Sequence, residues 1–550
     1  MKFKTKYLTF IGMILIIVSC EDFLDHNVTR SLTDDNIGDV IAKKPTALAP
    51  FLESAYRRFG GDGLYARNLF YCLNEQAHEF DLDWTGTLGW NEFAQNNMTS
   101  TNEMLPGFFT NYYTVINNCN LVITLANKVD QSAMSASDIK LINDYKGQAL
   151  FIRAHCHFDL LRLFGEKGPR FGGAYPANKD DRGIPLILGL ASADDPATLY
   201  PARSTVEECY TAILADLNEA LTLIGDNQIP ANTTVRTPGS LDLVYTKDSG
   251  WAQKPAVIAL LGKVYLYMND FANAKTKFDQ ILADTRFALD KPVNFTDYIQ
   301  HNDNSCESIF QFQYYYDAVR QARGQNNPLQ QLALINTNVQ NAWLNTFLQP
   351  PQTFQRYGCG TPNQDPRIYE TSLYDHTWDK WSTATTPPVW KIIDVNAPTF
   401  RCYVRKVIDF YNYSGPHLSH KNVDMIRLAD VYLMYAEVQL QLGNVASATE
   451  YVNKVRRRAW AEADYNVPGT MGEDFATVTM AVIQEERFKE LFFEPHRWFD
   501  LCRWGILDKE LAKYPSTRAG VVKYDDIDYY CPIPIAQLNV NPALEQSDGY

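Results

Sequence analysis

Two segments of the chain repeat the spacing of a helical hairpin, and this feature constrains the fold more than any other. They span residues 251–284 and 427–460. The first contains Leu261-Gly262-x-x-Tyr265 followed by Ala274-x-x-x-Phe278, the small and large residues of a tetratricopeptide unit at the offsets that unit uses. Small residues let two antiparallel helices approach, and large residues fill the gap between them. We therefore predict that each segment folds as a helical hairpin.

Each predicted hairpin carries its own turn signal. Met268-Asn269-Asp270 interrupts the first segment, and Gly443-Asn444 interrupts the second after Tyr435-Ala436. Small and β-branched residues continue the second pattern beyond its turn, at Ala446, Ala448, Val452 and Val455. Hairpins of this kind stack as in a short solenoid, but two units are too few for a free-standing array. Other helices must therefore complete the core.

Further helical patterns precede the hairpins. Apolar residues recur at three- and four-residue spacing from Asp144 to Phe164, and Gly165 predicts the end of that helix. Ser204 and Glu207 are spaced as a capping box, which predicts that a helix begins there. These patterns indicate a mostly α-helical fold.

Long stretches between the helical patterns show no period and are rich in Gly, Pro, Asn, Asp, Thr and aromatic residues. Long irregular loops in a compact protein usually serve a function, and the aromatic content argues against disorder. We expect a short strand within 401–412 and irregular structure over residues 60–105, 165–203, 225–250, 313–340 and 350–420.

The N-terminus is typical of a secreted lipoprotein. Lys2, Lys4 and Lys6 precede an apolar run over residues 8–18, and Cys20 follows Ser19. The apolar run is too short to span a bilayer comfortably, since a helix needs about 20 apolar residues. Residues 1–19 are therefore predicted to be a signal peptide. The Cys20 context resembles the bacterial lipobox, which implies that lipid on Cys20 tethers the mature chain.

Charge excludes one class of partner. The 550 residues carry a formal net charge of −14, and removal of the three lysines in residues 1–19 makes it −17. Nucleic-acid binding requires basic patches that neutralise phosphates, so we expect no nucleic-acid partner. An acidic chain also gains nothing from anionic lipid, so the lipid anchor must hold it at a membrane.

The cysteines and histidines indicate packing and not chemistry. Ten cysteines include Cys20, and the other nine show no CxxC and no regular spacing. We predict that the members within helical patterns are buried thiols, namely Cys119, Cys156, Cys209 and Cys502. His155 and His157 lie two residues apart on a helix and point in different directions, which makes them a poor metal pair. No metal or cofactor is expected.

An ordered set of motifs from Cys20 to Tyr550 resembles the SusD/RagB family of outer-membrane nutrient-binding lipoproteins of Bacteroidetes. The set comprises Cys20-Glu21-Asp22-Phe23-Leu24-Asp25, Arg153-Ala154, Leu163-Phe164-Gly165, Arg203-Ser204-Thr205, the hairpin over 256–274, Ser308-Ile309-Phe310-Gln311-Phe312, residues 427–437, Val452-Asn453-Lys454-Val455-Arg456, Glu486-Arg487, Arg497-Trp498-Phe499-Asp500-Leu501, Arg503-Trp504-Gly505, Pro532-Ile533-Pro534, Asn541-Pro542 and Gly549-Tyr550. One such motif would be weak, but the ordered set is specific.

This resemblance implies both a fold and a function. The implied fold has tetratricopeptide-like hairpins as scaffold and a large loop-rich ligand-binding part, within one SusD-like domain over 20–550 (an N-terminal part at roughly 20–225 and a C-terminal part at roughly 250–550). The implied function is capture of oligosaccharides at the cell surface for a SusC-like TonB-dependent transporter in the outer membrane, without enzymatic activity. Glu21 and Asp22 resemble the surface-export signal of these lipoproteins.

Candidate ligand residues lie in two aperiodic regions, which the resemblance also favours. Stacking on sugar rings needs flat aromatic faces, and sugar hydroxyls need amides, carboxylates or guanidinium groups nearby. The candidates are Trp84, Trp90, Tyr71, Asp81, Asp83, Asn91, Tyr315, Tyr316 and Arg320. Two alternatives stay open. The first keeps the same fold and partner but has peptides as ligands. The second is a lipid-anchored glycoside hydrolase, because the paired carboxylates of such an enzyme cannot be recognised from sequence spacing.

A charged cluster near the C-terminus has a structural interpretation. It consists of Glu486, Arg487, Glu490, Arg497, Asp500 and Arg503. Charged groups seldom enter a core unpaired, so we predict Arg–carboxylate pairs that hold a helix and its break at Pro495. Tyr432, Tyr435 and Tyr451 recur at helical spacing, and we predict that they pack in the core.

Overall fold

The fold was analysed in a computed structural model. The structure describes residues 37–79, 81–82, 89–166, 175–225, 250–290, 305–314, 347–348, 351–359, 361, 364–368, 372–374, 402–404, 406, 422–460, 462, 464–470, 472–513 and 526–550. The predicted signal peptide and Cys20 lie outside the described residues.

Helices dominate the part of the chain that is described, as predicted. In chain order they are α1 (Ile37–Lys43), α2 (Ala49–Phe59), α3 (Asn68–Gln76), α4 (Trp90–Gln95), α5 (Leu105–Asn127), α6 (Ala136–Phe164), α7 (Pro196–Leu199), α8 (Val206–Leu223), α9 (Lys254–Tyr267), α10 (Phe271–Leu282), α11 (Pro351–Arg356), α12 (Leu428–Gln441), α13 (Val445–Ala459), α14 (Met480–Glu490), α15 (Arg497–Arg503), α16 (Leu507–Lys513) and α17 (Ile535–Val540), with short 3₁₀ helices at Pro45–Leu48 and Asp526–Tyr529.

Both predicted hairpins are confirmed, as α9–α10 and α12–α13. In the first, a Cβ atom added at Gly262 would lie 2.5 Å from Cε1 of Phe278, so only glycine allows the two helices this approach. Asn269 turns the chain with φ +56°, and the Asp270 side chain accepts a hydrogen bond from the Asn273 N–H. Gly443 makes the second turn with φ +82°. Local residues therefore account for both turns.

The two long helices α5 and α6 form the centre of the N-terminal part. α6 packs against α5 and α8, and α5 also packs against α2. The predicted helix stop at Gly165 is confirmed, although α6 begins at Ala136, earlier than the apolar pattern indicated. The hairpin α9–α10 contacts α8 on one side and α12 on the other, so the helices form a continuous stack. Cys119, Cys156, Cys209 and Cys502 are buried in this stack, as predicted.

Two predictions about local structure were wrong. The capping box at the start of α8 is formed by Thr205 and Glu208, one residue after the predicted pair Ser204 and Glu207, because Thr205 has the extended backbone of an N-cap. Residues 60–105, 165–203 and 350–420 were predicted to be irregular, yet the first range contains α3 and α4, the second contains α7 and the third contains α11. All but the first residue of α3 is buried, so its polar residues hide the apolar period that sequence analysis relies on.

Six short strands complete the described structure. β2 (Ser308–Phe312) pairs antiparallel with β6 (Val423–Arg427), which leads directly into α12. The other four form a small antiparallel sheet in the order β1-β3-β5-β4, with β1 at Asp81–Leu82, β3 at Phe347–Leu348, β4 at Ser372–Tyr374 and β5 at Cys402–Val404. β5 confirms the strand that was predicted within 401–412. Among the helices in the described ranges, none is long and apolar enough to cross a membrane.

Candidate ligand-binding region

Two of the predicted ligand aromatics, Tyr71 and Trp90, meet inside the protein. Tyr71 lies on α3 and Trp90 begins α4, and their ring centroids are 6.3 Å apart in an edge-to-face arrangement. Tyr71 is 1% exposed and Trp90 is 8% exposed, and the indole Nε1 of Trp90 donates to Sδ of Met104 at 3.2 Å. In this conformation neither ring offers an open face for stacking. That these two rings bind a ligand stays a prediction.

The remaining candidates have only backbone positions or none. Asp81 lies on β1 opposite Leu348 of β3, so it belongs to the small sheet, and Asn91 lies in α4. The other five candidates fall outside the described residues, namely Asp83, Trp84, Tyr315, Tyr316 and Arg320. The fold therefore brings β1, α3 and α4 into one region, and predictions about individual ligand contacts remain predictions.

Tyr314 anchors the chain just before the second candidate region. Its ring is buried, its hydroxyl donates to the carbonyl oxygen of Gly60 at 2.5 Å, and its N–H donates to Oδ1 of Asn422 at 2.9 Å. Gly60 itself has no room for a side chain, because a Cβ atom there would meet Phe312 at 2.8 Å. Residues 60 and 314 are therefore held together, and Tyr314 directly precedes the second candidate region.

Several polar groups lie buried at the ends of α3 and α4, and sequence analysis did not single them out. Gln76, Glu79 and Asn96 are each at most 5% exposed. Within the part of the chain that the structure describes, both side-chain polar atoms of Gln76 and of Asn96, and Oε1 of Glu79, are buried without a hydrogen-bond partner. The His78 ring lies 3.2 Å from the carbonyl oxygen of Ala94, which brings the end of α3 against the end of α4. Nothing in the pattern of this polar run distinguishes it from a solvated helix end.

Glu79 connects this region to the C-terminal part of the chain. Its Oε2 accepts a hydrogen bond from the Phe493 N–H at 3.0 Å. Phe493 has φ +56°, a left-handed conformation that is costly for a non-glycine residue. It belongs to the segment 491–496 between α14 and α15, which we call the α14–α15 linker. The helix break predicted at Pro495 lies in this linker, and that prediction is confirmed.

The next linker residue, Glu494, ties the same segment to two further elements. Its carboxylate accepts from Nζ of Lys406 at 2.6 Å and from Arg427 at 2.7 Å. Lys406 also donates to the carbonyl oxygen of Glu490 at 3.1 Å. Burial alone would raise the pKa of Glu494, but Arg427 and Lys406 lower it to about 2. The carboxylate is therefore fully ionised at neutral pH.

The predicted Arg–carboxylate pairing in the C-terminal charged cluster is confirmed. Glu490 of α14 accepts from Arg427 at 2.7 Å and from Arg367 at 3.1 Å, and it also pairs with Arg458. Arg427 and Arg458 in turn share Glu307, at 2.8 and 2.9 Å. Burial and these three guanidinium groups act in opposite directions on Glu490, and the guanidinium groups prevail and lower its pKa.

A second group of ion pairs centres on α12 and α15. Arg487 binds Asp430 at 2.8 Å and Asp500 at 2.7 Å, and Arg503 binds Asp500 at 2.8 Å and Glu437 at 2.5 Å. Arg497 pairs with Glu510 at 2.8 Å. Each carboxylate of this group is matched by a guanidinium group at hydrogen-bonding distance, which is how buried charges are stabilised. These groups therefore serve the scaffold and are not available to a ligand.

The histidines and tyrosines singled out in the sequence are also structural. His155 and His157 are buried, and burial lowers their pKa values to about 4 and about 3. Tyr432 and Tyr435 are buried as predicted, and each places its ring edge-to-face against that of the half-buried Tyr451, at 5.1 and 4.7 Å. Within the described ranges, no three His, Cys, Asp or Glu side chains are arranged to hold a metal ion.

Comparison with known proteins gives a consistent result. Two family models match the chain, "Starch-binding associating with outer membrane" over residues 22–238 and "SusD family" over residues 306–550. A SusD-like protein of Formosa agariphila, P2, is 23% identical across the full length of both chains. Another from the same organism, P25, is 36% identical over 160 residues, which is 28% of this chain and 29% of that protein.

Solved structures show the same fold. A laminarin-binding SusD-like protein superimposes with a TM-score of 0.65 at 21% identity, over 92% of this chain and 99% of that one. A SusD superfamily protein from Bacteroides thetaiotaomicron gives 0.66 at 20% identity, over 91% and 98%. Helical hairpins that support a loop-rich region define a tetratricopeptide-like scaffold protein. Within that class, the chain belongs to the SusD/RagB family.

Proposed function

We propose that this protein is a cell-surface lipoprotein that captures oligosaccharides and delivers them to a partner TonB-dependent transporter in the outer membrane. The observation that carries the proposal is the pair of SusD-family matches, one of them described as starch-binding and associated with the outer membrane. The fold shared with a laminarin-binding SusD-like protein supports a glycan as the ligand. A lipid on Cys20 is the proposed tether.

The proposed ligand region surrounds β1, α3 and α4. Trp84 is the proposed principal stacking ring, with Asp81, Asp83 and Asn91 as neighbouring partners for hydroxyl groups and Trp90 beside them. Tyr71, Tyr315, Tyr316 and Arg320 complete the proposed set. Aromatic rings supply the apolar face that sugar C–H groups require, and short polar side chains supply direction.

A binding role, and not catalysis, is the better proposal for the carboxylates. Glycosidases need two carboxyl groups that face one another across the substrate, one acting as acid and the other as base or nucleophile. Glu490 and Asp500, two buried carboxylates of the C-terminal part, are instead matched to arginines. Release of reducing sugar from starch or laminarin by the purified protein would contradict this part of the proposal.

Affinity gels containing starch, laminarin or other polysaccharides test the ligand class. We expect at least one glycan to retard the wild-type protein, and we expect Trp84→Ala to abolish most of that retardation. Tyr200→Ala is a suitable control, because Tyr200 is a large aromatic residue that is 46% exposed and lies outside the proposed region. If Trp84→Ala is retarded as strongly as the wild type, the proposed stacking role is wrong. Retention of peptides and of no glycan would favour the peptide alternative.

The membrane tether has its own test. Cys20→Ala removes the thiol that would carry lipid, so we expect the variant to leave the membrane fraction and to fail in supporting glycan uptake. Surface proteolysis of whole cells distinguishes an anchored protein from a released one. Undiminished surface localisation of Cys20→Ala would show that the tether is not this lipid.

A further inference from the structure

The α14–α15 linker is joined to both sides of the small sheet. Glu79, which accepts the Phe493 N–H, stands two residues before β1. Lys406, which donates to Glu494, stands two residues after β5. β1 pairs with β3, and β3 pairs with β5. One linker therefore holds the chain at an edge strand of the sheet and again at an inner strand.

The sheet needs such connections. β1 and β3 contain two residues each, and a single residue pair, Leu348 with Tyr403, joins β3 to β5. Ladders this short contribute few hydrogen bonds and are marginal on their own. The linker, in contrast, is fixed by buried ion pairs of the scaffold, because Glu494 also binds Arg427. Rigidity can therefore pass from the scaffold to the sheet through Glu79 and Lys406.

We propose that Glu79 and Lys406 are positioning residues for ligand binding, which hold the strand of Asp81 and its neighbours in place through the α14–α15 linker. This inference rests on the proposed function, because it takes the region around β1 as the ligand region. Neither residue needs to contact the ligand. Their effect is exerted through the backbone of β1 and β5.

The environment of Glu79 explains which substitution should preserve its role. Burial raises the pKa of Glu79 to about 8, against the opposing influence of Arg497, the Phe493 N–H, Lys406 and Arg356. The carboxyl group is therefore largely neutral at pH 7, and it accepts the Phe493 N–H without a buried charge. An amide has the same shape and also offers an oxygen acceptor, so Glu79→Gln should keep the connection. Glu79→Leu removes the acceptor and leaves the buried Phe493 N–H without it.

The ligand test compares affinities for soluble starch and laminarin by isothermal titration calorimetry. We expect Glu79→Leu to weaken binding at least about tenfold, which corresponds to about 1.4 kcal/mol, and Glu79→Gln to stay near the wild type. The matched control is Asp216→Leu. Asp216 lies on α8, outside the small sheet, and its buried carboxylate pairs with Arg153 of α6 at 2.6 Å. Both leucine variants should lower the melting temperature, but only Glu79→Leu should weaken binding.

Hydrogen exchange tests the same inference without any ligand. We expect faster amide exchange at residues 81–82 and 402–404 in Glu79→Leu and in Lys406→Met, and unchanged exchange there in Asp216→Leu. Lys406→Met is the second variant because its less buried side chain makes loss of folding less of a concern than at Glu79. Unchanged exchange at both strands in both variants would overturn the proposal.

The two tests separate failure of this inference from failure of the proposed function. If the wild type binds no glycan while exchange at the strands rises as expected, the proposed ligand is wrong, but the conclusion that Glu79 and Lys406 hold β1 and β5 in place stands. If the wild type binds a glycan and Glu79→Leu binds it equally well, the positioning role is wrong and the proposed function stands.

Discussion

The two hairpins differ in the contacts that characterise them. In the first, α9 and α10 pack on each other through the apolar contact between Gly262 and Phe278. The second places charged side chains in buried ion pairs with other elements. Asp430 and Glu437 of α12 bind Arg487 and Arg503, and α13 contributes Arg458 to Glu307 and Glu490. Both hairpins have the same backbone plan. The comparison shows that small and large residues specify the hairpin itself, while the residues facing its neighbours determine what the hairpin is used for.

The two hairpins are also joined to each other. Tyr435 of α12 donates to Asp279 of α10 at 2.8 Å, and Nζ of Lys263 lies 3.4 Å from Asp430. Lys263 is the residue next to Gly262, so one face of α9 closes the first hairpin and another enters the ion pairs of the second. The second hairpin thereby links the helical stack to the linker that holds Glu79 and Lys406.

The largest effect is expected at the centre of the ion pairs. Glu490→Gln removes the negative charge that three buried arginines share. It should therefore lower the free energy of unfolding by about 3–5 kcal/mol, measured by urea denaturation. Glu219→Gln is the control, because the Glu219 side chain is exposed in its pair with the partly exposed Lys146, and the substitution should change stability by less than about 1 kcal/mol. Equal effects of the two substitutions would show that the buried ion pairs beside the second hairpin stabilise the fold no more than a surface pair does.

Acid should lower the free energy of unfolding over a defined pH range, because it protonates Glu494 and so breaks ion pairs beside the second hairpin. The pKa of Glu494 is lowered from 4.5 to about 2, so its pairing stabilises the fold above pH 4.5, and that contribution is lost as pH falls toward 2. The loss amounts to up to about 3 kcal/mol. Glu494→Gln should therefore show a shallower decline in unfolding free energy over this range. Parallel curves for the variant and the wild type would contradict the assignment.

The stability of the first hairpin should depend on the volume of the side chain at position 262. Gly262→Ala adds a methyl group 2.5 Å from Phe278 and should destabilise the protein by about 1–3 kcal/mol, measured by denaturant titration. Gly107→Ala is the matched control, since Gly107 is also helical but has nothing within 4 Å of an added Cβ atom. That control should be neutral or stabilising by up to about 1 kcal/mol. A neutral Gly262→Ala would show that the helices can separate freely.

The smallest effect concerns the turns. Asp270 caps α10 by accepting from the Asn273 N–H at 3.1 Å, whereas Asn444 makes no side-chain cap at the start of α13. Asp270→Ala should cost about 1 kcal/mol in thermal or urea unfolding, and Asp270→Asn should restore most of it because asparagine also caps helices well. If the alanine and asparagine variants are equally stable, the cap contributes nothing to the first hairpin.

The sequence predicted local structure well wherever apolar residues recur at one regular spacing along a segment. Both hairpins, the end of α6 at Gly165 and the helix break at Pro495 follow from spacing, glycine and proline alone. The capping box was misplaced by one residue because Ser204-Thr205 offers two hydroxyl side chains, and only backbone geometry distinguishes them. The helix α3 was missed because its buried polar residues look like loop residues in a sequence, and α4 was missed because six residues are too few to show a helical period.

The candidate site was less predictable than the fold. Tyr71 and Trp90 were recognised as aromatic residues in the right region, but their burial depends on α3 and α4 packing together. Glu79 and Lys406 carried no signal at all, because their partners Phe493 and Glu494 are remote in the chain. A charged residue in a loop has the same appearance whether it faces solvent or holds a distant linker.

The sequence by itself determined the helical hairpins, the family and the acidic charge, because these depend on residue spacing and composition over short stretches. Only the tertiary structure decided which buried polar and charged groups meet. The Glu79 carboxyl group and the Phe493 N–H whose hydrogen bond it accepts are 414 residues apart in the chain, and the ion-paired Arg427 and Glu307 are 120 apart. Such pairs form when apolar burial of the hairpins brings them together and excludes water, since burial without a partner would be costly for each charge. The partner of a buried charge is thus a property of the folded chain.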